Sequence, residues 1–281
     1  ENDFVLMRYA DILWMKAEAK ARGGAGDDGT NSDDFKRMLK RAFAYESNPE
    51  DAFNAAYPEW PLPASICVYP NFAAVVAAER KCDFNITVVS ACFPSSQSFL
   101  EVKLKECEMA VEQGADEVDI VLALNSFLAG DYDTAANEIR QVRAAIDAVA
   151  AKQDRKVHLK VILETGLLRT PEKIAIASFL AMEAGADFIK TSTGKVDVNA
   201  TPTAAYVMCE CIAKYYAATG KKIGFKPAGG ISSAADALCY YSIVSSILGK
   251  EWLNKELFRF GVSRVANSLM SAVDQATVSY F

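Results

Sequence analysis

The chain contains a single histidine, His158, among its 281 residues. A multi-histidine metal site therefore cannot be built, and a Ser-His-Asp triad would depend on this one imidazole. His158 lies inside the apolar run from residue 157 to residue 163, where an ordinary strand histidine is the favoured interpretation. Histidine-based catalysis is therefore a poor explanation for this sequence.

Long apolar runs and an excess of basic charge are missing as well. No stretch approaches the roughly 20 apolar residues that span a bilayer, and the start of the sequence does not resemble a secretory signal. The net charge is -6, from 30 basic and 36 acidic side chains, so no global positive field attracts nucleic acid or an anionic membrane. We therefore expect a cytoplasmic protein with neither a membrane nor a nucleic-acid partner.

Paired cysteine motifs are also lacking. The seven cysteines form an odd set without a Cys-x-x-Cys pair, which suits reduced thiols in a reducing compartment. They are Cys67, Cys82, Cys92, Cys107, Cys209, Cys211 and Cys239.

From about residue 32 the sequence alternates short apolar runs with longer helical patterns. The pairs Thr170-Pro171 and Thr201-Pro202 each predict a helix start, because threonine caps a helix and proline fits its first position. A helix with a capping serine is predicted at 32–45, and another is predicted to open near Ser232. We expect strands that are apolar on both faces, as in a parallel sheet covered by helices. Seven strand-helix units are predicted, with strands at 65–69, 85–90, 117–122, 157–163, 187–189, 223–226 and 258–261.

This alternation fits either an open doubly wound sheet or a closed eightfold barrel. No Gly-x-Gly-x-x-Gly sequence follows a strand, and no Walker-type loop is present, which argues against nucleotide-binding folds. Glycine-rich turns instead follow the last predicted strands, where barrels commonly bind phosphate. We therefore predict an α/β fold of the (β/α)8 TIM-barrel type for residues 32–281.

Residues 1–31 differ from the rest and are predicted to be an atypical, mostly helical leader. The stretch 4–19 has good helix formers and an apolar stripe, and the glycines within 23–29 end it.

Two lysines end predicted strands beside glycine-containing turns. Lys190 precedes Thr-Ser-Thr-Gly, and Lys226 precedes Pro-Ala-Gly-Gly. On adjacent strands about 4.8 Å apart, two ammonium groups disfavour double protonation, which leaves one amine nucleophilic near neutral pH. Asp119, amid apolar residues, would be costly to bury unpaired and could transfer protons beside the lysines. The alternatives are lysines that point to solvent and an aspartate in a structural ion pair.

The turns after the last two predicted strands suit an anion. Gly229 and Gly230 follow one strand, Gly261 and Ser263 mark the end of the other, and each turn leads into a helix N-terminus. Exposed backbone N–H groups and the helix dipole favour phosphate at such places. Lys195 could add a direct charge, whereas the alternative is that the glycines only permit tight turns.

Five motifs taken together resemble those of the deoxyribose-phosphate aldolases. The motifs are Glu-Val-Asp-Ile-Val (117–121), Leu-Lys-Val-Ile-Leu-Glu-Thr-Gly (159–166), Gly-Ala-Asp-Phe-Ile-Lys-Thr-Ser-Thr-Gly-Lys (185–195), Gly-Phe-Lys-Pro-Ala-Gly-Gly-Ile (224–231) and Phe-Arg-Phe-Gly-Val-Ser (258–263). The resemblance runs from about residue 62 to the end. It implies a metal-free class I aldolase, without a cofactor, on a (β/α)8 barrel. Such an enzyme cleaves 2-deoxyribose 5-phosphate to glyceraldehyde 3-phosphate and acetaldehyde.

The resemblance also implies roles for the candidate residues. Lys190 resembles the Schiff-base lysine, Lys226 the neighbour that lowers its pKa, and Asp119 the proton-transfer carboxylate. The implied partner is a small phosphorylated sugar, and a homodimer is expected. Phosphate-site positions are matched by Lys195, Gly229, Gly230, Gly261 and Ser263, while Cys67 falls near the site and Tyr280 corresponds to a mobile C-terminal tyrosine.

Two features depart from the family pattern. Arg264 follows Ser263 where a second serine is usual, and the Asp-x-Thr motif of the first strand has no counterpart. The place that this strand has in the family falls at 22–26, which has neither apolar length nor β-branching, so we expect the strand to be missing or replaced. Residues 4–7 are a candidate substitute, although their pattern is more helical than extended. Residues 7–19 resemble instead a helix of SusD/RagB-type outer-membrane glycan-binding proteins and carry no nameable catalytic residue. Two alternatives to an active aldolase stay open. One is a catalytically impaired barrel remnant that acts as a structural or assembly element, and the other is a phosphate-binding barrel with different chemistry.

Overall fold

The computed structural model describes residues 4–6, 63–80, 83–262, 265–275 and 277. The helix predicted at 32–45, the remainder of the leader and its predicted boundary at residue 31 lie outside these residues. The strands are β1 (Phe4–Leu6), β2 (Ser65–Val68), β3 (Asn85–Val89), β4 (Glu117–Val121), β5 (His158–Ile162), β6 (Phe188–Lys190), β7 (Gly224–Lys226) and β8 (Phe260–Val262). The helices are α1 (Ala73–Glu79), α2 (Leu100–Glu112), α3 (Leu124–Leu128), α4 (Tyr132–Lys152), α5 (Thr165–Leu168), α6 (Pro171–Glu183), α7 (Pro202–Thr219), α8 (Ala234–Ile247) and α9 (Val265–Asp274).

The strands follow one another around a parallel barrel. Strands β2 to β7 form a six-stranded sheet in chain order, and β1 pairs in parallel with β8. Isolated parallel bridges, Phe225 with Phe258 and Ala228 with Gly261, join the β7 segment to the β8 segment. Cα atoms of β1 also lie within 8 Å of those of β2. The α/β barrel predicted from the sequence is confirmed.

Strand β1 replaces the first strand that the sequence was expected to lack. Phe4 pairs with Phe260 and Leu6 with Val262, so these residues are extended, and the helix favoured for the start of the leader is wrong there. The candidate substitution by residues 4–7 is the correct one. The physical reason is that β8 would otherwise present a row of unpaired backbone groups, and this demand overrides a local helical pattern.

The predicted helix starts are confirmed at both threonine-proline pairs. The Thr170 hydroxyl accepts a hydrogen bond from the N–H of Lys173, and Thr201 accepts one from Ala204. Each cap contributes on the order of 1 kcal/mol to stability. Helix α8, predicted to open near Ser232, is capped by Ser233. The short helices α3 and α5 were not predicted, because a single turn is too brief to show a periodic pattern.

The two faces of the sheet have different chemistry. Strand side chains such as Val118, Ile120 and Val161 pack outward against the helices in the main apolar core. The alternate residues point into the barrel, and there charged side chains contact one another although they are fully buried. The expectation of apolar residues on both faces is therefore wrong for the inner face, where ion pairs compensate the charges.

A glycine makes room for an aromatic side chain in the barrel. A Cβ atom added at Gly224 would lie 2.2 Å from Cε1 of Phe188 on the neighbouring strand. The Phe188 ring lies 5.8 Å from Nζ of Lys160 and 5.4 Å from Cζ of Arg259, distances at which cation–π attraction operates. The missing side chain at residue 224 therefore lets Phe188 pack under the buried charges. Within the described residues, no helix combines the length and the apolar character needed to cross a membrane.

Candidate active site

Lys190 and Lys226 are the last residues of neighbouring strands. They are direct Cα partners in the ladder between β6 and β7, so their side chains leave the sheet side by side. Asp119 lies in β4, which is separated from β6 by β5. Because all three side chains point inward and have no exposed surface, they meet inside the barrel at the carboxyl ends of the strands. The structure thus brings together the three residues predicted to carry the chemistry.

One carboxylate oxygen links the two lysines. Nζ of Lys190 and Nζ of Lys226 each donate to Oδ2 of Asp119, both at 2.9 Å. Two ammonium groups on one oxygen are close enough for each to disfavour protonation of the other. This geometry also means that neither lysine points to solvent, so that alternative interpretation is wrong.

The electrostatics weaken proton binding by one amine and keep the carboxylate ionised. The pKa of Lys226 is lowered from 10.5 to about 8, mainly by burial; the charge of Asp119 opposes this shift, and the charges of Lys190 and Lys160 contribute to it. Burial would raise the pKa of Asp119, but Lys160, Lys190 and Lys226 outweigh it and hold that pKa below its usual value. A lysine whose pKa is close to neutral pH can act as a nucleophile or as a proton carrier.

Three further charged residues extend the site into the barrel, and sequence reasoning assigned them no role. Lys160 donates to Oδ1 of Asp119 at 3.0 Å and also to Oε2 of Glu117. Arg259 donates to both oxygens of Glu117, at 2.9 Å and 3.3 Å. We call Glu117, Asp119, Lys160, Lys190, Lys226 and Arg259 the interior charge network. The available signal was a charged residue at alternate positions of buried strands.

His158 contacts this network from the amino-terminal side of the barrel. It is the first residue of β5, and its Nδ1 lies 3.7 Å from Oε1 of Glu117. Asn85 donates to the same oxygen at 2.9 Å. The position fits the structural interpretation of His158, since the imidazole begins β5 whereas Lys190 and Lys226 end β6 and β7.

Cys67 borders the lysine pair as a protonated thiol. It is buried in β2, and burial raises its pKa to about 11, while the charge of Lys226 is the strongest opposing influence. A thiol in this state is a poor nucleophile near neutral pH. Its position agrees with the expectation of a residue near the site.

A second carboxylate approaches Lys190 from the loop after β5. Glu164 has left-handed backbone angles, φ 54° and ψ 57°, and its side chain accepts hydrogen bonds from the backbone N–H and the hydroxyl of Thr193. Burial raises the pKa of Glu164, although Thr193 and the charge of Lys190 act in the opposite direction. The loop that follows Lys190 is therefore fixed to the loop that follows β5.

The predicted phosphate positions border one another where the structure describes them. Gly229 and Gly230 both have φ near 80°, which glycine adopts without strain. A Cβ atom at Gly229 would lie 2.7 Å from the Asn199 side chain, so the loop that begins at Lys195 lies against this turn. Gly261 bridges to Ala228 in the same region. Ser263, Arg264 and Tyr280 lie outside the described residues.

Polar atoms without partners are found on the loops around the site. Among the described residues, Thr165 Oγ1, Ser192 Oγ and Asn199 Oδ1 are buried and make no hydrogen bond. A buried polar atom without a partner costs free energy, so these atoms have hydrogen-bonding capacity to offer a ligand.

The carboxylates of the site are poorly suited to a metal ion. Within the described part of the chain, no group of three or more His, Cys, Asp or Glu side chains has a metal-binding arrangement. Glu117 and Asp119 already bind lysine and arginine side chains. A separate groove of about 690 Å³ lies outside the barrel, between α2 and Pro70, and contains none of the predicted site residues.

Comparison with known proteins places the chain in a family. Residues 24–239 match the family described as DeoC/LacD family aldolase. Human deoxyribose-phosphate aldolase is 44% identical over 209 residues, which are 73% of this chain and 63% of the human protein. The chain thus spans less than two thirds of that relative. Deoxyribose-phosphate aldolase of Agrobacterium fabrum is 40% identical over 219 residues, 78% of this chain and 80% of the relative.

A solved structure supports the fold. One similar structure, from Aeropyrum pernix, is titled a unique tetrameric structure of deoxyribose phosphate aldolase. Its superposition on this chain has a TM-score of 0.57 at 19% sequence identity. It covers 85% of this chain and 98% of that chain. Because the family match extends over most of the sequence and includes β2 to β7, this chain belongs to the DeoC/LacD family of aldolases.

Proposed function

We propose that this chain cleaves 2-deoxy-D-ribose 5-phosphate to D-glyceraldehyde 3-phosphate and acetaldehyde through a Schiff base on Lys190. The observation that carries the proposal is the shared carboxylate oxygen, with Lys190 and Lys226 both 2.9 Å from Oδ2 of Asp119 in a fully buried site. The names of the relatives supply the substrate class. The names alone would not identify the reactive amine, whereas the geometry points to this pair.

The reaction begins when the neutral amine of Lys190 adds to the C1 aldehyde of the open-chain sugar. Loss of water gives an iminium ion, which withdraws electrons from the C2–C3 bond. A base then takes the proton of the C3 hydroxyl as that bond breaks. Glyceraldehyde 3-phosphate leaves, and an enamine of acetaldehyde remains on Lys190. Protonation at C2 and hydrolysis release acetaldehyde and restore the amine.

Asp119 and Lys226 manage the protons in this proposal. Asp119 is held ionised by its lysine partners, so it can accept a proton directly or through water. Lys226, with a pKa of about 8, can both give and take a proton near neutral pH. The iminium is the electron sink, and the proposed steps therefore draw on no separate cofactor or metal.

The phosphate would lie at the turns after β7 and β8. Gly230 and Ser263 would present backbone N–H groups, and Lys195 would add a positive charge. Gly229 and Gly261 would shape the turns, since their own N–H groups donate to the carbonyl oxygens of Gly261 and Pro227. The positive φ angles of Gly229 and Gly230 support this placement. The unpaired atoms of Thr165, Ser192 and Asn199 are candidates for the sugar hydroxyl groups.

Several finer expectations stay predictions. Cys67 would shape the site as a neutral thiol, and Tyr280 would assist proton transfer from the C-terminal end. A homodimer is the proposed assembly, and the tetrameric title of the Aeropyrum pernix relative supports only that barrels of this shape associate. A cytoplasmic location is also proposed, and the unbonded thiols of the six cysteines in the described residues are compatible with it.

Trapping with borohydride tests the proposed function. Incubation of the protein with acetaldehyde and borohydride should convert the Schiff base to a stable N-ethyl group on Lys190, located by peptide mass spectrometry. The variant Lys190→Met should give no adduct at that peptide. A matched control is Lys103→Met, which removes another buried lysine, ion-paired with Glu138 at 2.7 Å.

Three outcomes would contradict the proposal. A folded protein without the Lys190 adduct would exclude the Schiff-base mechanism. Phosphate binding that survives in Lys190→Met, together with no adduct in the unmodified protein, would favour a phosphate-binding barrel with different chemistry. Absence of both adduct and sugar-phosphate cleavage would favour the catalytically impaired remnant.

A further inference from the structure

The two oxygens of Asp119 have different partners. Oδ2 accepts hydrogen bonds from Lys190 and Lys226, whereas Oδ1 accepts one from Lys160 at 3.0 Å. A carboxylate held at one oxygen only can rotate about its side-chain bonds. Because Lys160 holds the other oxygen, the orientation of Asp119 towards the lysine pair is fixed from within the barrel.

Lys160 is itself fixed from its other side. It is completely buried, it donates to Glu117, and its Nζ lies 3.3 Å from the hydroxyl of Thr87. Arg259 binds both oxygens of Glu117 and so prevents that carboxylate from turning away. Lys160 therefore lies between two carboxylates and is hydrogen-bonded to both.

Lys160 places a positive charge on the carboxylate that Lys190 and Lys226 share. The positive charge of Lys160 is one of the influences that lower the pKa of Lys226. It acts in a site without exposed surface, where solvent screens charges weakly. The same charge also lowers the pKa of Asp119. It therefore stabilises the ionised carboxylate while it disfavours the protonated form of Lys226.

We infer that Lys160 is a positioning residue for the proposed Schiff-base reaction. Fixed between Glu117 and Asp119, it orients Asp119 and supplies the positive charge that favours a neutral amine on the pair formed by Lys190 and Lys226. The inference rests on the proposed function, since it assigns a role to Lys160 in that same reaction. Lys160 does not touch the substrate and acts through Asp119.

Other ionisable groups surround the lysine pair, Lys160 and its partner Glu117. Within the described residues these groups are Cys67 on β2, Glu117 and Asp119 on β4, His158 on β5, Glu164 in the following loop, and Arg259 just before β8. A test must therefore change the charge of Lys160 while leaving these groups in place.

The dependence of kcat/KM on pH, with deoxyribose 5-phosphate as substrate, provides the test. In Lys160→Met and Lys160→Gln the positive charge is lost, so the lysine pair binds its proton more tightly. The pH at which kcat/KM reaches half its maximum should then rise by about one pH unit or more. We also expect kcat to fall about 100-fold while KM changes little, because Asp119 is misplaced but the phosphate site is intact.

Rescue and control variants separate this role from a structural one. Lys160→Arg keeps the charge and should keep the wild-type midpoint even if kcat falls. Lys103→Met removes a buried lysine whose partners, Glu138 and Ser96, lie outside the interior charge network, and it should leave the midpoint unchanged. If neither neutral variant folds, Glu117→Gln/Lys160→Met removes one charge of each sign. It should show a shift in the same direction, since Lys160 is among the charges that lower the pKa of Lys226 and Glu117 is not among its main influences.

The inference and the proposed function fail in different ways. If the wild-type protein forms no borohydride adduct on Lys190, the proposed function is wrong. If the adduct forms but Lys160→Met, Lys160→Gln or the double variant titrates at the wild-type midpoint, Lys160 has no such role and the inference is overturned.

Discussion

Glu117 is a buried carboxylate that compensates the positive charges of two neighbouring side chains. Lys160 and Arg259 both donate to it, and it has no exposed surface. Burial raises the pKa of Glu117, but Lys160, the hydrogen bond of His158 and Arg259 outweigh burial and hold the pKa well below 4.5. Removing this negative charge would leave two positive groups in the barrel with less compensation.

We expect Glu117→Gln to lower the free energy of unfolding by about 3–5 kcal/mol at pH 7, because it breaks a buried ion pair from one side. The difference from wild type should narrow below about pH 4.5. There the unfolded chain binds protons more readily than the folded Glu117 does, so the stabilisation by this group is lost as the pH falls. Urea unfolding at a series of pH values measures both effects.

The matched control for this experiment is Glu101→Gln, which changes an exposed glutamate on α2. Its effect should stay within about 0.5 kcal/mol. A loss below about 1 kcal/mol in Glu117→Gln would show that Lys160 and Arg259 do not need this carboxylate.

Residues of the site differ in how far sequence could predict them. The local sequence predicts Lys190 and Lys226 at strand ends next to glycine turns. It also predicts Asp119 within an apolar strand. The link between Glu117 and Arg259 joins residues 142 positions apart, and no local pattern encodes it. Such a contact follows only from barrel closure, which brings β4 and the segment before β8 to one interior.

Strands and helices as elements were mostly predictable, because their signals are local. Apolar runs identified β2 to β8, and the threonine caps identified the starts of α6 and α7. What sequence did not show was the inner face of the sheet, since burial of charge depends on partners from other strands. The contact between β6 and β7 at Gly224 is an example of such a dependence.

At this contact we expect Gly224→Ala to destabilise the barrel by about 1–3 kcal/mol, as overpacked cores do. The new Cβ atom would lie 2.2 Å from the Phe188 ring, so strand or ring must move. Urea unfolding of Gly224→Ala, Phe188→Leu and the double variant measures the coupling between the two positions. A smaller residue at 188 should recover part of the loss.

Additive effects of the two substitutions would contradict this interpretation. Gly220→Ala is a poor control because Gly220 has φ 72° and strain would enter. Ala217→Ser, at an exposed position of the outer helix α7, serves better and should change stability by no more than about 0.5 kcal/mol.

The barrel is closed by β1, at residues 4–6. The sequence did not decide whether this strand forms, because the pattern of residues 4–19 favours a helix. Only the otherwise unpaired edge of β8 favours a strand at this place. The predicted boundary at residue 31 and the helical remainder of the leader fall outside the described residues. Closure of the barrel thus depends on contacts between distant parts of the chain and could not be predicted from the local sequence.

We expect Val5→Pro to lower the melting temperature by about 5 °C, because proline removes a backbone N–H from the strand and fixes φ. Val5 is the central residue of β1 and pairs with Gly261. Differential scanning calorimetry measures the change. Asn2→Pro, which alters a position before β1, should melt like the wild-type protein, and equal effects of both variants would argue against the strand.

The pairing of Phe4 with Phe260 also sets a limit on how this protein folds as it is made. Helices α1 to α8 and strands β2 to β7 can form while later residues are still being added, since neighbouring strands in the sheet are also neighbours in sequence. The first strand must wait for a partner almost the whole length of the chain away. Such non-local closure is slow, and the ribosome must release β8 before the barrel wall is complete.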